Sequence, residues 1–507
     1  MNYMQLFLLL THILLSSSFV AFSRKICKQY KQHYLSDKFV PVLEEKTLIV
    51  EHNNKKFNKI KHNIFAQIGS NPKFVNNEDY HWFDGDGMIH GIYFNNSEIV
   101  YQNKWIQTKR LQLEEKWKRK LYLYFGELRG MNGLMQIMKY SLMELFGFIP
   151  PYGKGTANTA LLYWSKRLFA LHEGDMPYEL NIDEHFNITT KQRLHYPSLY
   201  STTAHPIIDK KRNLLYLYGY NNYNFLNGNF IFNVFDENMD LLQQKNISLI
   251  NNGMIHDIGF IDKYIIIPDM PLKYDVNRII NEKLPIYFDK EHGVTRFGVF
   301  DVSYKNDPKW YYFNKNFFIF HFAKSYKIIN GFDIFACLMD DLHMEDFVEL
   351  DNLKNEEHII RGELRLKKIV LNTVKNTTKI IENKHLQNLE LDFPYNLDFP
   401  ISSIKNKNEV YCTIFDSAKG YIRGYLKINL TYFEKAKAQI FIFEDNTYGN
   451  SEPRPIIIDN VEYLTTFTND DNNSYISLIN VNKKTNDKIK IPTRIPPGFH
   501  SILYKKT

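Results

Sequence analysis

Four histidines that are far apart in the sequence share similar surroundings, because each stands beside small or apolar residues at the edge of a strand-like run. They are His205 in TTAHPIID, His256 in GMIHDIGF, His321 in FIFHFAKS and His500 in PPGFHSIL. If successive β-modules circle an axis, one histidine from each of several modules can converge on a central iron, copper, nickel or zinc ion. Taken singly, each histidine is more typical of a hydrogen-bonded core residue.

Sequence motifs for several other chemistries are absent. The chain has no His-Glu-x-x-His, Cys-x-x-Cys or glycine-rich phosphate loop, which sets aside zinc-protease and nucleotide-binding functions. Asp84-Gly85-Asp86-Gly87 suggests calcium, but a loop beginning at Asp84 has Met88 at its fifth position and no acid at its twelfth. The Asp-Gly pairs instead predict a tight hairpin turn with positive φ between two strands.

The elements that must position the histidines are mostly strands. From about Ile64 onward, short runs rich in Ile, Tyr, Phe and Val alternate with clusters of Asn, Asp, Gly and Lys, a pattern typical of strands joined by turns. Many short strands predict a sandwich, a barrel or a propeller. No fixed-period repeat is visible and no break in composition marks a second domain.

Charge and cysteine usage narrow the possible partners. The 507-residue chain has a formal net charge of +7, but its lysines are scattered among acids and asparagines, so we expect no nucleic-acid partner. Its three cysteines, Cys27, Cys337 and Cys412, cannot make a disulfide framework. The last two lie in strand-like runs and are predicted to be buried free thiols.

The N-terminus resembles a targeting segment. LFLLLTHILL, at positions 6–15, is followed by small residues and Ala21-Phe22-Ser23, so residues 1–23 are predicted to be a signal peptide cleaved after Ser23. An uncleaved signal anchor is the alternative, although the run is short for a spanning helix. The basic leader at 24–45 is either the second half of a two-part organelle address or a disordered leader. We therefore expect passage into the secretory pathway, ending in a plastid-like organelle, in the endomembrane lumen or outside the cell. No later segment reaches spanning length.

One apolar segment stands apart from the strands. MNGLMQIMKYSLMELFGFIPPYG, at positions 131–153, predicts a helix that ends at Pro150-Pro151. A helix packed on the core and a patch that dips into a membrane interface explain it equally well. The interfacial alternative rests on the nearly all-round apolarity of the segment and on four cations upstream of it: Lys116, Lys118, Arg119 and Lys120.

A series of motifs, in order from about Asn63 to the C-terminus, carries a family resemblance. The motifs are IGSNPKF, YHWFDGDGMIHGI, YQNKWIQT, ANTALLYWSKRLFALHEGDMPYEL, TAHPIID, MIHDIGF, RFGVFDV, FHFAKSYK, LDFP, SEPRP and RIPPGFHS. The chain resembles the carotenoid cleavage oxygenases, a non-haem iron group that includes apocarotenoid- and stilbene-cleaving enzymes and the retinoid isomerase of the visual cycle. The resemblance implies an all-β, seven-bladed β-propeller over residues 46–507, with a helical and loop cap, including an apolar insert at 109–153, over one face.

The resemblance also implies roles for individual residues. It assigns Fe(II) to the four histidines, one per blade facing the axis, and a structural role to His81 and His90. Thr159, in ANT, resembles a residue that crowds the open face of the iron in some members. Peripheral contact with a membrane is implied for the 131–149 segment, where substrate gains access beside Leu142, Leu145 and Phe146.

Three glutamates support the iron ligands in the family, each accepting the second ring N–H of a histidine. The first corresponds to Glu173 in LHEGDMP. The second falls in LDFP, where we expect Asp392, and the third falls near IIIDNVEYL, where Asp459 is the better match and Glu462 the weaker one. Two changes from glutamate to aspartate would shorten the reach, so we expect the strands to shift inward or a water to bridge.

The activity that the resemblance implies is oxidative cleavage. O₂ adds across one carbon–carbon double bond of a carotenoid or apocarotenoid held in an apolar tunnel, and two carbonyl products leave. Three alternatives stay open: a stilbene-cleaving oxygenase, an isomerase of retinyl esters and a degenerate propeller that binds a lipid. Stilbene-cleaving relatives tend to carry lysine where this chain has His172, whereas Tyr101 matches a tyrosine that they use.

Overall fold

The computed structural model describes nine stretches of the chain, all within one compact unit, Gln32–Thr507. They are residues 33–74, 80–220, 229–251, 253–303, 306–347, 362–387, 395–416, 420–444 and 446–506. The predicted signal peptide at 1–23, Cys27 and Asp392 lie outside the described residues. Within them, Cys337 and Cys412 are buried free thiols, as predicted.

Antiparallel strands dominate, which confirms the mostly-β class. The first sheet joins both ends of the chain: β1 (Lys46–Glu51), β2 (Asn63–Ser70), β3 (Gly87–Phe94), β4 (Glu98–Trp105) and the last strand, β32 (Ser501–Lys505). The next three sheets have four strands each: β5 (Ala160–Trp164), β6 (Arg167–Leu171), β7 (Tyr178–Ile182) and β8 (Ile188–Arg193); β9 (Ile207–Asp209), β10 (Leu214–Gly219), β11 (Asn229–Phe235) and β12 (Leu241–Ser248); β13 (Gly259–Ile261), β14 (Tyr264–Asp269), β17 (Arg296–Asp301) and β18 (Lys309–Tyr312).

The remaining sheets are less uniform. A two-stranded sheet pairs β15 (Leu272–Tyr274) with β16 (Ile286–Phe288), and a four-stranded sheet contains β19 (Phe318–Ile328), β20 (Gly331–Met339), β21 (Leu364–Asn372) and β22 (Thr377–Ile381). A nine-stranded sheet contains β23 (Tyr395–Ser402), β24 (Glu409–Asp416), β25 (Tyr421–Asn429), β26 (Gln439–Ile442), β27 (Tyr448–Gly449), β28 (Arg454–Ile458), β29 (Val461–Asn469), β30 (Ser474–Asn480) and β31 (Thr485–Ile491). Because the nine-stranded and two-stranded sheets depart from one sheet per blade, seven blades stay a prediction.

Helices are few and short in the described residues. They are α1 (Lys55–Asn58), α2 (Lys109–Trp117), α3 (Gly130–Leu145), α4 (Asn277–Ile280) and α5 (Lys384–Gln387), with 3₁₀ turns at His33–Leu35, Asp37–Phe39, Trp82–Asp84, Phe125–Glu127, Met344–Phe347 and Phe433–Lys435. The apolar insert predicted at 109–153 contains α2 and α3. The second of these ends before the predicted Pro150-Pro151, because Gly147 adopts a left-handed φ of 73° just beyond its last residue.

The Asp-Gly repeat does not form the predicted hairpin turn. Asp84 ends a 3₁₀ turn, and Gly85 has φ of −73°. Asp84 instead accepts backbone N–H groups from Phe125, at 2.6 Å, and from Gly126, at 3.0 Å. The glycines are needed for space: a Cβ on Gly85 would lie 2.3 Å from the Ser70 hydroxyl, and one on Gly87 would lie 2.2 Å from a backbone oxygen of Ala157.

Candidate metal centre

The four histidines come from four different sheets and meet at one point. His205 precedes β9, His256 precedes β13, His321 lies within β19 and His500 precedes β32. Neighbouring Nε2 atoms are 2.9 Å apart for His205 and His256, and 3.3 Å apart for both His256–His321 and His321–His500. One ring nitrogen from each residue lies within 4.8 Å of the other three.

Local backbone features aim these rings inward. The pairing of β19 with β20 shifts register between Ile319 and Phe322, on either side of His321, and such a bulge re-aims a side chain that regular pairing would direct elsewhere. Asp257, next to His256, accepts the backbone N–H of Phe322 at 2.8 Å. That contact joins the segments that carry two of the four histidines.

Three carboxylates contact the Nδ1 atoms of three of the imidazoles. His321 Nδ1 lies 2.8 Å from Asp398 Oδ1, and His500 Nδ1 lies 3.2 Å from Glu452 Oε2. His256 Nδ1 lies 2.8 Å from Glu173 Oε1, a contact that is short but off the line of an ideal hydrogen bond. An N–H directed at a carboxylate from Nδ1 leaves the lone pair on Nε2, which is the tautomer that a metal requires.

Glu173 therefore contacts an iron-ligand histidine, as the resemblance predicted. The acid that contacts His321, however, is not the predicted Asp392. LDFP occurs twice, at 391–394 and at 397–400, and the acid beside His321 belongs to the second copy, Asp398. The predicted Asp392 belongs to the first copy. Asp398 contacts the imidazole directly, so the expected bridging water is not required.

The prediction of Asp459 as the third acid is wrong. Asp459 is exposed and forms an ion pair with Lys59, because a turn with positive φ directs it to solvent. Glu462, the weaker candidate, accepts hydrogen bonds from Ser403 and Tyr411 instead. The acid beside His500 is Glu452, and its sequence signal was the SEPRP motif.

Burial and charge set the protonation of these groups. Burial opposes ionisation of Glu173, but the contact with His256 outweighs it and holds the pKa of Glu173 at about 2. Burial opposes ionisation of Glu452 too, but the charge of Arg454 and the contact with His500 together outweigh it, so the pKa of Glu452 is also lowered. Burial is the main reason that the pKa of His205 lies well below its usual value. Glu173 and Glu452 are therefore ionised and His205 is neutral near pH 7, as metal ligation requires.

The donor set fits a metal ion. With Nδ1–H directed at the acids, Nε2 lone pairs of His256, His321 and His500 face one another at 3.3 Å, an arrangement that a shared cation would stabilise. Separations of about 3 Å are also those of nitrogen ligands about 2.1 Å from one ion. A set of neutral imidazoles suits iron, copper, nickel or zinc, so the residues fit Fe(II).

Three other residues named from the sequence, Thr159, His172 and Tyr101, each make a hydrogen-bond contact in the structure. Thr159 lies just before β5, and its hydroxyl donates to Glu173 Oε2 at 3.3 Å; its predicted crowding of the open iron face stays a prediction. His172 Nδ1 accepts the backbone N–H of Gly174 at 3.0 Å. Tyr101 is buried with its hydroxyl 2.9 Å from His90 Nδ1; its match to a stilbene-binding tyrosine stays a prediction.

The predicted membrane-facing residues form an exposed apolar patch. Leu145 and Phe146, at the end of α3, are 76% and 70% exposed, and Leu142 is 41% exposed. Five further exposed side chains extend the patch: Met131, Met135, Met138, Phe148 and Tyr152. In the part of the chain that the structure describes, no helix has both the length and the apolar character needed to cross a membrane.

Comparison with known proteins gives the family. Residues 63–504 match the family described as retinal pigment epithelial membrane protein (RPE65). The carotenoid 9,10(9′,10′)-cleavage dioxygenase 1 of Arabidopsis thaliana is 27% identical over 498 residues, which cover 93% of this chain and 89% of the plant protein. The corresponding enzyme of Crocus sativus is 28% identical over 504 residues, covering 93% and 88%.

Solved structures share the fold. Lignostilbene dioxygenase of Pseudomonas brassicacearum superposes with a TM-score of 0.73 at 17% identity, over 93% of this chain and 98% of that one. Cobalt-substituted apocarotenoid oxygenase (ACO) of Synechocystis gives 0.71 at 17% identity, over 92% and 97%. Fold and relatives together define the class as that of the carotenoid-type dioxygenases. The chain belongs to the RPE65 family, that of the carotenoid cleavage oxygenases.

Proposed function

We propose that this protein is an Fe(II)-dependent dioxygenase that cleaves one carbon–carbon double bond of a carotenoid or apocarotenoid. The observation that carries the proposal is the convergence of four imidazoles within 4.8 Å, with carboxylates behind three of them. His205, His256, His321 and His500 would hold the ferrous ion, and the chemistry that it would supply is activation of O₂. Both atoms of O₂ end in the two carbonyl groups, and the alkene supplies all four electrons, so no external reductant is needed.

The chain itself orients the ligands and keeps water away. Glu173, Asp398 and Glu452 fix the imidazole tautomers. Two aromatic rings pack against the histidines: the ring centroid of Phe399 lies 5.0 Å from that of His321, and the centroid of Phe320 lies 5.5 Å from that of His256. Such apolar walls suit a long polyene and hold one of its bonds in place.

The test measures metal and products on the same samples. Wild type and His256→Ala are reconstituted anaerobically with Fe(II), assayed for bound iron, and then given O₂ with β-carotene, apocarotenals, a retinyl ester or a phenolic stilbene. We expect near-stoichiometric iron in the wild type, its loss in the variant, and paired carbonyl products from a polyene. Asp459→Asn is the matched control, since Asp459 lies at the surface.

The alternatives have distinct outcomes. Cleavage restricted to the stilbene, or an isomerised retinoid with its carbon skeleton intact, would overturn the proposed substrate and support the corresponding relative's chemistry. Absence of iron binding under anaerobic reconstitution would overturn the proposal and support a propeller that only binds a lipid.

We also propose that the α3 patch rests in one leaflet of a membrane and gives an apolar substrate access to the centre. Exposed apolar side chains on one short helix support this, because burying them in the acyl region removes apolar surface from water. Replacing Leu142, Leu145 and Phe146 together by serine is expected to release the protein from liposomes in a flotation assay. The control replaces three exposed hydrophobic residues elsewhere, Ile329, Val374 and Tyr432; equal release by both triple variants would contradict the proposal.

We also propose that residues 1–23 are a signal peptide that directs the chain into the secretory pathway. The apolar run at 6–15 and the small residues before Arg24 support this. N-terminal sequencing of the mature protein from a eukaryotic host is expected to begin at Arg24. A mature chain that keeps residues 1–23 would contradict signal cleavage. Fluorescence imaging of the full chain then separates a plastid-like organelle from the endomembrane lumen and the medium.

A further inference from the structure

Strand β23 is irregular at the residue that contacts His321. Its pairing with β24 shifts register between Asp398 and Ile401, and Phe399 has φ of 43°. A left-handed backbone brings Cβ too close to a carbonyl oxygen and is therefore unfavourable in a residue other than glycine. Such residues persist where their surroundings over-determine them, and they cluster at functional sites.

The bulge directs two consecutive side chains at the centre. Regular strand pairing would send Asp398 and Phe399 to opposite faces of the sheet. Here, however, Asp398 Oδ1 lies 2.8 Å from His321 Nδ1, while the ring of Phe399 lies 5.0 Å from the rings of both His321 and His500. The side chain of Phe399 therefore packs against two of the four imidazoles.

The geometry of these ring contacts differs between the two histidines. The Phe399 ring is inclined by 35° to that of His321 and by 81° to that of His500. The first contact is tilted, and the second is edge-to-face, which is a favoured arrangement of aromatic pairs. Together they oppose rotation of each imidazole about its own side-chain bonds.

The backbone on both sides holds the bulge in place. The carbonyl oxygen of Asp398 accepts a hydrogen bond from the Thr413 hydroxyl at 2.8 Å, and Thr413 is fully buried on β24. Pro400 follows Phe399 and disfavours a right-handed helical backbone at the preceding residue. The unusual φ is therefore anchored from the neighbouring strand and from the next residue along the chain.

We infer that Phe399 is a positioning residue of the metal centre. Its backbone brings the short side chain of Asp398 within direct reach of His321, and its ring sets the orientation of His321 and His500 before the metal binds. Ligands that are oriented in advance lose less conformational entropy on binding. This inference rests on the proposed function, since it assigns Phe399 a role at the same metal site.

The test uses variants that separate the ring from the backbone. Phe399→Gly removes the ring and adopts φ of 43° without strain. Phe399→Leu keeps much of the volume but not the flat ring, and Phe399→Tyr keeps the ring. The matched control is Phe415→Leu, which changes a half-buried phenylalanine on β24 of the same sheet.

The measurement is anaerobic titration of the metal-free proteins with Co(II), followed by the d–d absorption bands, with melting curves of the metal-free forms. We expect Phe399→Gly and Phe399→Leu to bind Co(II) about tenfold more weakly, the lower end of the effect seen when supports of metal ligands are removed, and to shift the bands. Phe399→Tyr and Phe415→Leu are expected to match the wild type in both respects.

The variants separate a role of Phe399 itself from an effect of the whole sheet. Equal affinity and unchanged bands in Phe399→Leu would overturn the positioning role even if Phe399→Gly failed to fold. Weaker binding in Phe415→Leu of the same size would overturn it too, because the effect would then belong to the sheet as a whole. Failure of the wild type to bind either Co(II) or Fe(II) would overturn the proposed function itself.

Discussion

At the scale of single residues, the distance between an acid and an imidazole decides how a ligand is held. Asp398 is one methylene shorter than the glutamate that the family resemblance led us to expect, yet it lies 2.8 Å from His321 Nδ1. The backbone of β23 supplies the missing reach through its bulge. Glu173 and Glu452 need no such adjustment, so one shortened acid is present among the three supports rather than two.

Removing the charge of Asp398 is expected to weaken metal binding. In Asp398→Asn the amide still reaches His321 but no longer carries the charge that raises ligand basicity, so we expect an affinity for iron or cobalt about 10–100-fold lower. Isothermal titration of the metal-free protein measures this. Asp459→Asn changes an exposed aspartate and is expected to bind as the wild type does; equal affinities for both variants would contradict the role of Asp398.

Asp257 is expected to stabilise the protein by joining two ligand-bearing segments. Asp257→Ala leaves the part-buried backbone N–H of Phe322 without its acceptor, and an unpaired donor costs up to about 1–3 kcal/mol when it is shielded from water. Urea unfolding of the metal-free protein should therefore show a lower free energy of unfolding. Asp307→Ala, at an exposed position, is the control. An equal effect in both variants would contradict the stabilising role of the contact between Asp257 and Phe322.

At the scale of elements, the segment 33–40 acts as an N-terminal strap beside the centre. The Tyr34 ring stacks on Trp82 with centroids 5.3 Å apart. Trp82 in turn contacts Phe499, the residue before His500, at 5.0 Å. Arg494 donates to the backbone oxygens of the strap at positions 38 and 40. The strap therefore packs against the wall that carries one of the four histidines.

Truncating the strap's buried aromatic residue should destabilise the fold. Tyr34 is 2% exposed, and removal of a buried aromatic side chain costs about 3–5 kcal/mol. Tyr34→Ala is expected to lower the free energy of unfolding in urea by an amount of that order. Tyr432→Ala, at the surface, serves as the comparison. A change below about 0.5 kcal/mol in Tyr34→Ala, the size typical of surface positions, would show that the strap contributes little.

At the scale of the whole molecule, buried titratable groups set how stability depends on pH. Burial lowers the pKa of His81 and of His90 to about 3. Between pH 6.5, the pKa of an unfolded histidine, and about pH 3, these two histidines are protonated in the unfolded chain but not in the folded protein. Their contribution to stability is therefore lost as pH falls below 6.5. Burial raises the pKa of Asp84 and of Asp86 to about 6, which acts in the opposite sense between about 6 and 3.8.

His90→Gln is expected to make the protein less sensitive to acid. Glutamine can keep a hydrogen bond to Tyr101 without titrating, so the variant avoids a loss of about 2 kcal/mol that one such histidine causes at pH 5. The fall in melting temperature from pH 7 to pH 5 should therefore be smaller than in the wild type. His185→Gln, at an exposed position, should behave as the wild type; identical pH dependence in His90→Gln would contradict the assignment.

Much of the protein could be predicted from local patterns. Short apolar runs indicated the strands, because side chains of a strand alternate between its two faces and so leave a two-residue period in the sequence. The recurring surroundings of His205, His256, His321 and His500, together with the ordered motifs, indicated one metal site, and LHEGDMP indicated Glu173. The apolar helix at α3 was also predictable, since it depends on neighbouring residues alone.

The sequence by itself therefore determined the strand-rich class, the four histidines and one of their acids. The tertiary structure decided which other carboxylates face an imidazole: Asp398 is 77 residues from His321, and Glu452 is 48 residues from His500. A shift of one residue in a strand sends a side chain to the opposite face, so the bulge in β23, and not the LDFP motif that occurs twice, selects Asp398. That selection depends on contacts between distant strands, which no local pattern records.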